Sequence, residues 1–303
     1  MMASTTRVAL RIDVDTYRGT RDGVPAMLDD LASAGVRASF FFTLGPDQSG
    51  RAIRRVFTTP GFAAKMWRTN APRMYGWKAA LYGTLLPAPM IGRRCVDVLR
   101  RCQAARHEIG LHAWNHAAWQ NQLPRLGRAA VDAMIDRGVA AFEGIFGAPP
   151  RAFAAPGWLS TDAAWLALDA RGFDYVSVSR GAVAPYRPRV QNRTLAMLEI
   201  PTTLSTLDED LGRSGTTAAN YVDRLVARYR PGATEVVTVH AETEGLAFRD
   251  VFRALIERHR QLGVRTCTLG TLADETRDNA PSRDVQIGRV PGRAGPVTLA
   301  GAL

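Results

Sequence analysis

The feature that most constrains the fold is an alternation of short apolar runs with helical patterns, which continues to about residue 275. Residues 8–14 form an apolar run typical of a buried strand, and residues 22–34 carry apolar side chains at helical spacing before a glycine. Residues 37–43 include three consecutive phenylalanines and predict a second buried strand. A strand, a helix and a strand within roughly 35 residues form a βαβ unit, which implies a parallel sheet.

The same alternation continues along the chain. Strands are predicted at residues 108–113, 152–155, 175–179, 198–202, 235–241 and 264–269, with helices near 94–105, 129–146, 161–170, 218–230 and 248–262. Roughly seven or eight β/α repeats in about 270 residues are the size of a barrel, whose strands carry the chemistry at their carboxyl ends. We therefore predict one α/β domain over residues 7–275.

Composition narrows the compartment and the partners. The net charge of +11 favours an anionic partner, either nucleic acid or a membrane surface, although an arginine-rich coding bias would give the same charge. The three cysteines show no disulfide or metal-site spacing, which indicates a reducing compartment. The start of the chain does not read as a signal peptide, and the longest apolar run, residues 79–92, is broken by two prolines. We expect a cytosolic protein that can still touch a membrane.

Two segments stand outside the repeat. Residues 46–91 hold seven basic side chains against one acid, Asp47, together with several tryptophans and tyrosines. This insertion is the expected contact with anionic lipid, although a solvated basic hairpin covering the barrel would look the same. The residues assigned to that contact are Arg51, Arg54, Arg55, Lys65, Trp67, Arg68, Trp77 and Lys78. Residues 279–303, rich in proline, glycine and arginine, are expected to be loosely ordered.

Two carboxylates and two imidazoles indicate a metal site. Asp13 and Asp15 end the first strand, and His112 and His116 are four residues apart, a spacing that places both on one face of a helical turn. A helix cap would explain one aspartate, and one packed and one solvated histidine would explain the pair. Two neighbouring carboxylates repel unless a cation lies beside them. We therefore assign Asp15, His112 and His116 to one divalent ion and Asp13 to a general base.

His240 ends the apolar strand at residues 235–239 and precedes Glu242 and Glu244. A neutral histidine packed in the core is one interpretation. The other is a general acid that faces the metal site, with one of the two glutamates orienting its ring.

These motifs resemble those of the NodB-like polysaccharide deacetylase family. Residues 11–15 (RIDVD) look like its first motif with one residue inserted, His112 and His116 like its second, and residues 237–240 like its last. The resemblance implies a distorted (β/α) barrel, a divalent ion on one Asp and two His, a second Asp as base and a late His as acid. The third motif departs from the family, because Ala154 stands where an arginine usually precedes the proline. Arg151 or Arg11 could orient Asp13 instead, and the segment 174–179 also departs from the common fourth motif.

A narrower resemblance is to the bacterial deformylases that act on a formamido-arabinose carried on undecaprenyl phosphate. It rests on blocks spread along the chain, at residues 12–20, 45–47, 75–77, 111–114, 118–120, 157–158, 179–181 and 240–242. The resemblance implies release of formate and a free amine in the aminoarabinose modification of lipid A, which favours polymyxin resistance. It further implies a peripheral position on the cytoplasmic face of the bacterial inner membrane. The residues assigned to substrate binding are Arg18, Trp114, Trp158, Arg180 and Glu242.

Several alternatives remain open at this point. The ion could be zinc, manganese, cobalt or nickel, since mixed nitrogen and oxygen sites accept several metals. The reaction could be that of another cytosolic sugar de-N-acetylase or a cyclic amide hydrolase of the same family. An Fe(II) oxygenase fits the ligand set but not the βα alternation. A basic protein that only binds nucleic acid or membrane would leave the acid and histidine pairs unexplained, so we expect no nucleic acid partner.

Overall fold

The computed structural model describes residues 6–52 and 79–301. In this part of the chain the strands are β1 (Arg7–Val14), β2 (Ser39–Phe42), β3 (Glu108–Leu111), β4 (Ala152–Ala154), β5 (Tyr175–Ser177), β6 (Arg187–Val190), β7 (Arg193–Thr194), β8 (Leu198–Glu199), β9 (Thr234–His240), β10 (Arg265–Cys267), β11 (Ser282–Gly288) and β12 (Val297–Ala300). The helices are α1 (Val24–Ala34), α2 (Ile91–Arg94), α3 (Val96–Ala104), α4 (His116–Gln122), α5 (Arg128–Phe146), α6 (Asp162–Asp169), α7 (Leu207–Asp210), α8 (Tyr221–Val226), α9 (Arg249–Gln261) and α10 (Leu269–Thr276).

The main sheet is an open barrel of parallel strands. From β1 the order runs through β2, β3, β4 and β5 to β8, while β9 pairs with β1 on its other edge. These are seven parallel strands, and β10 adds a short pairing with the first residues of β1. The prediction of an α/β barrel of about seven strands is confirmed.

Strand β1 lies between the two layers of the core. Its alternate residues Val8, Leu10, Ile12 and Val14 belong to the large apolar cluster that contains the helices, such as Leu28 of α1. Ala9 packs with a second, smaller cluster of strand residues that also includes Leu269, Leu272 and Ala273 of α10. Because successive side chains of a strand point to opposite faces, Arg11 and Asp13 share the inner face with Ala9. The alternation therefore directs a charged pair into the barrel.

The C-terminal segment differs from its expected loose order. Strands β11 and β12 pair antiparallel, and β11 also pairs parallel with β6, which pairs with β7 in a separate four-stranded sheet. Val297 and Thr298 are buried. The proline, glycine and arginine content suggested a tail that could not bury apolar surface, but the short runs 282–288 and 297–300 alternate enough to form a hairpin on the barrel.

The basic insertion falls largely outside the described residues. Arg51 is the assigned lipid contact that the structure describes: it is exposed and donates a hydrogen bond from Nε to the Gly83 carbonyl at 3.3 Å. The other assigned contacts lie outside the described residues, namely Arg54, Arg55, Lys65, Trp67, Arg68, Trp77 and Lys78. Within residues 6–52 and 79–301, every helix is too short or too polar to cross a membrane.

Candidate active site

The acid pair and His240 meet at the carboxyl ends of two neighbouring strands. Asp13 is the register partner of His240 across the β1–β9 pairing, and Ala241 N–H donates to the Asp13 carbonyl at 2.9 Å. Asp15 follows immediately after β1. Since all seven strands run in the same direction, their last residues converge at one end of the barrel. This is the end of the barrel at which the catalytic residues are predicted from the sequence.

Asp15, His112 and His116 form a compact set of metal ligands. His112 Nε2 lies 3.2 Å from Asp15 Oδ1, and His116 Nε2 lies 3.2 Å from Asp15 Oδ2. The ligand atoms all lie within 4.8 Å of one another. Such a set fits a divalent ion with nitrogen and oxygen ligands and positions left for water and substrate.

Unpartnered atoms support this fit. Within the described part of the chain, Asp15 Oδ1 and His112 Nδ1 are buried and make no hydrogen bond. Burial alone would raise the pKa of Asp15, but the imidazoles of His116 and His112 lower it well below the ordinary value. A carboxylate whose buried Oδ1 faces an imidazole nitrogen without a hydrogen bond is better explained by a cation among the three residues than by an ion pair alone.

The two histidines reach the site by a different route from the predicted helical turn. His112 follows β3, and its backbone N–H donates to the Phe42 carbonyl at 2.8 Å. Ala113 then adopts a left-handed conformation with φ 59°, and the Asn115 side chain caps α4 by accepting from Ala118 N–H at 2.9 Å. His116 is therefore the first residue of α4. The prediction that both histidines share one helical turn is wrong, because a tight turn between strand and helix brings them together instead.

Arg11 binds the Asp13 carboxylate, a task for which the usual family motif has an arginine at the position of Ala154. Arg11 Nε and Nη2 donate to Asp13 Oδ1 and Oδ2, each at 2.7 Å, and Nη1 donates to the Ser177 carbonyl at 2.8 Å and hydroxyl at 2.9 Å. Burial would raise the pKa of Asp13, but the Arg11 guanidinium keeps it below the ordinary value. Arg151, the other candidate, pairs with Asp174 and has an 81% exposed side chain.

His240 lies among carboxylates and beside Trp158. The two rings meet edge to face, with their centroids 6.3 Å apart. Burial would lower the pKa of His240, but the negative charges of Asp15, Asp208 and Asp13 raise it above the ordinary value. A raised pKa favours the protonated imidazole, which is the form that a general acid requires. Asp208 was missed by sequence reasoning, because its helix α7 is short and only its place in the fold brings it near the site.

The two glutamates after His240 do not orient its ring. The Glu242 carboxylate accepts hydrogen bonds from the backbone N–H of Asp15 at 2.9 Å and from the N–H and hydroxyl of Thr16 at 2.7 and 2.8 Å. The Glu244 carboxylate accepts from the backbone N–H of His240 at 2.9 Å. The prediction that one of them orients the imidazole is therefore wrong. Both fix the backbone that carries Asp15 and His240, because the strand ends leave N–H groups without sheet partners.

The remaining assigned residues differ in their surroundings. Trp158 is buried, donates from Nε1 to Thr202 Oγ1 at 2.9 Å, and has the unusual backbone angle φ 53° for a bulky residue. Arg180 is buried and forms a fork with Glu209 at 2.7 and 3.0 Å. Trp114 is half-buried, and its carbonyl accepts from Gly45 N–H at 2.8 Å. Arg18 is half-buried at the start of the turn Gly19–Gly23.

The structure combines a parallel α/β barrel with an Asp, His, His set at the strand ends, a second aspartate bound by an arginine, and a late histidine. This combination defines a hydrolase of the metal-dependent amidohydrolase class. A family model described as polysaccharide deacetylase matches residues 3–176. The chain belongs to the polysaccharide deacetylase family.

Two curated relatives have a narrower name. A protein from Shewanella sediminis (strain HAW-EB3) is 36% identical over 96% of this chain and 94% of its own length, and one from Wigglesworthia glossinidia brevipalpis is 31% identical over 91% and 96%. Each is named "Probable 4-deoxy-4-formamido-L-arabinose-phosphoundecaprenol deformylase ArnD". Among solved structures, a Mycobacterium smegmatis protein of the polysaccharide deacetylase type shares the fold, with a TM-score of 0.67, 19% identity and coverage of 95% of both chains.

Proposed function

We propose that this protein hydrolyses the formamide of 4-deoxy-4-formamido-L-arabinose-phosphoundecaprenol and releases formate and the free amine. The name shared by the two curated relatives supports this substrate. The observation that carries the reaction class is the convergence of Asp15, His112 and His116 beside the Asp13–His240 register pair. The product would feed the aminoarabinose modification of lipid A.

The motif residues named above have separate roles in the proposed hydrolysis. Asp15, His112 and His116 would hold a divalent ion, which would supply a Lewis acid for the formyl carbonyl and for the attacking water. Asp13 accepts a proton from water as the water oxygen bonds to the formyl carbon. Arg11 keeps Asp13 ionised and fixed while this happens. His240 donates its proton to the sugar nitrogen as the carbon–nitrogen bond breaks.

Asp13 can accept this proton although Arg11 binds both of its oxygens. Each carboxylate oxygen has two lone-pair directions, and the Arg11 fork occupies one on each oxygen. The other direction stays available for a water molecule. His112 Nε2 lies 4.0 Å from Asp13 Oδ2, so the Asp13 carboxylate borders the metal ligands. Asp13 is therefore placed to accept a proton from water beside the residues that would hold the ion.

Formate release from the purified formamido-arabinose lipid tests the proposal. We expect turnover with a bound divalent ion, loss of turnover after chelation, and recovery on addition of zinc, manganese, cobalt or nickel. The matched N-acetyl lipid separates a deformylase from a general sugar de-N-acetylase, because it differs by one methyl group. Faster release of acetate than of formate would contradict the proposed substrate, and activity that survives complete metal removal would contradict the proposed mechanism.

The proposed location is the cytoplasmic face of the inner membrane, through the basic insertion. A basic residue near an anionic leaflet contributes about 1 kcal/mol, so replacing Arg51, Arg54 and Arg55 together by Gln should weaken vesicle binding on the order of a hundredfold. A control triple variant at Arg213, Arg224 and Arg265, which are exposed outside the insertion, removes the same charge. Equal binding of both triple variants to anionic vesicles in flotation would contradict this location.

A further inference from the structure

We propose that Arg293, in the loop between β11 and β12, binds the phosphate of the lipid-linked substrate at the rim of the active site. The inference rests on the proposed function and deepens it. Sequence reasoning missed this residue because the segment was expected to be loosely ordered. Four observations support it: its distance from the site, its unused donors, its counter-charge and the way the loop is held.

Arg293 lies over the ring that borders His240. Its ζ carbon is 4.7 Å from the Trp158 ring centroid, and that centroid is 6.3 Å from the His240 ring. The sum of the two distances is an upper limit on the separation of the guanidinium from the proposed general acid. In the proposed substrate the phosphate and the formamide are attached to opposite ends of one sugar ring. A cation within this limit is close enough to reach a phosphate that is carried across one sugar ring from the reacting bond.

The hydrogen bonds of Arg293 leave most of its donors free. Within the described part of the chain, its only acceptor is Glu209 Oε1, at 3.2 Å from Nη1. A guanidinium has five N–H donors in a planar fork that matches two oxygens of a phosphate. The Arg293 side chain is 13% exposed, so it is shielded from bulk water but still reachable. Its unused donors lie where a charge-assisted hydrogen bond is strong.

Arg293 shares its carboxylate partner with a second arginine. Among the described residues, three guanidiniums lie over the Trp158 ring, from Arg11, Arg180 and Arg293. Arg11 is matched by Asp13, and Arg180 takes both oxygens of Glu209. The neighbouring acid Asp208 accepts from Thr206 Oγ1 at 2.5 Å and acts electrostatically on His240. The Arg293 charge thus shares a carboxylate that is already paired, and a substrate anion would complete the pairing.

The backbone is shaped to bring the loop to this position. Gly292 has φ +85°, and a Cβ there would lie 2.3 Å from the Glu209 carbonyl. A Cβ on Gly157 would lie 3.2 Å from Arg293 Nη2. The following strand β12 is tied to the same region, because the Thr298 carbonyl accepts from Arg180 N–H at 2.9 Å and its hydroxyl accepts from Ser160 N–H at 3.0 Å. The loop is therefore docked against the site.

Two substrates and one matched control test the role. The substrates are the formamido-arabinose phospholipid and the neutral methyl glycoside of the same sugar. Loss of one charge-assisted hydrogen bond corresponds to a decrease of about 10- to 100-fold, so Arg293→Gln should lower kcat/KM on the phospholipid by that factor and leave the neutral glycoside within about twofold. Arg293→Lys should recover part of the loss. Arg289→Gln removes an exposed charge from the same loop and should change neither substrate.

Equal losses on both substrates would show that Arg293 only supports Glu209 and Trp158, and no loss on either would show that it is not used; both outcomes overturn the inference. Calorimetry with the methyl ester of arabinosyl phosphate, which has no formamide, separates the inference from the proposed function. We expect binding to the wild-type protein and about tenfold weaker binding to Arg293→Gln. Absence of wild-type binding overturns the phosphate site even if formate is released, whereas binding without any formate release supports the site and contradicts the deformylase.

Discussion

Replacement of Arg11 by Met should cost far more stability than replacement of an arginine in an exposed ion pair of the same strand. The Arg11–Asp13 pair is buried, with side-chain exposures of 0% and 3%, and the guanidinium also donates two hydrogen bonds to Ser177. Arg11→Met keeps the volume but leaves a buried carboxylate without its counter-charge. Such a loss typically costs about 3–5 kcal/mol of the free energy of unfolding.

Arg7 supplies the matched control. It pairs with Glu275 at 2.6 Å, as short a contact as that of Arg11, but the side chains are 22% and 46% exposed. Exposed pairs are screened by water, so Arg7→Met should cost no more than about 1 kcal/mol. Urea unfolding of both variants in the presence of chelator, with m-values compared to the wild type, measures the difference without any contribution from metal.

A double-mutant cycle separates the ion pair from the lost packing of Arg11. Asp13→Asn removes the charge that Arg11 compensates, so the double variant should be much less destabilised than the sum of the two single variants. Formate release should fall in Arg11→Met by a factor comparable to loss of the base itself, about 10²–10⁴-fold. An unfolding free energy for Arg11→Met within error of that for Arg7→Met would refute the conclusion that Arg11 is the buried counter-charge of Asp13. Additive effects in the cycle would refute it as well.

Three further predictions concern single side chains. Asp15→Ala should lose both bound metal and formate release, whereas Asp13→Asn should retain the metal and lose turnover; elemental analysis beside a formate assay checks both, and an Asp13 variant without metal would contradict the division. His240→Gln should lower kcat by about 10²–10⁴-fold with little change in substrate binding, since it removes the acid that protonates the amine; a purely binding defect would reassign it. Burial lowers the pKa of His259 to about 4 from the ordinary 6.5, so its neutral form favours the fold above pH 6.5 and this stability is lost as the pH falls toward 4. His259→Gln should flatten that decline in urea unfolding between pH 6.5 and 4, and an unchanged slope would contradict the assignment.

The positions of the strand-end residues could be predicted because the fold fixes them. Once the βα alternation implies a parallel barrel, Asp13, Asp15 and His240 must lie at one end, whatever the loops do. The mode of approach of His112 and His116 could not be predicted, because a spacing of four residues fits a helical turn as well as a strand end followed by a capped helix. The lesson is that spacing predicts convergence better than it predicts local conformation.

Residues that act through long-range contacts could not be predicted from the sequence. Glu209 and Arg293 are 84 positions apart and become neighbours only when the C-terminal hairpin docks on the barrel. Arg11 is the instructive intermediate case, because a strand places residues two apart on the same face. That rule alone puts Arg11 beside Asp13, and the absence of the usual arginine at Ala154 made a substitute necessary. The choice between Arg11 and Arg151 still required the structure, since burial decides it.

The counter-charges explain why the two aspartates of one strand end differ in function. Asp13 has a guanidinium on both oxygens and needs no cation, so it is a poor metal ligand and remains ionised as a base. Asp15 has no guanidinium among its described contacts and faces two imidazoles that offer lone pairs. His112 Nε2 is 3.2 Å from Asp15 Oδ1 and 4.0 Å from Asp13 Oδ2, so this imidazole lies nearer to Asp15. Without Arg11, Asp13 would compete with Asp15 for the ion. The Arg11→Met variant should therefore bind metal at altered affinity as well as unfold more easily.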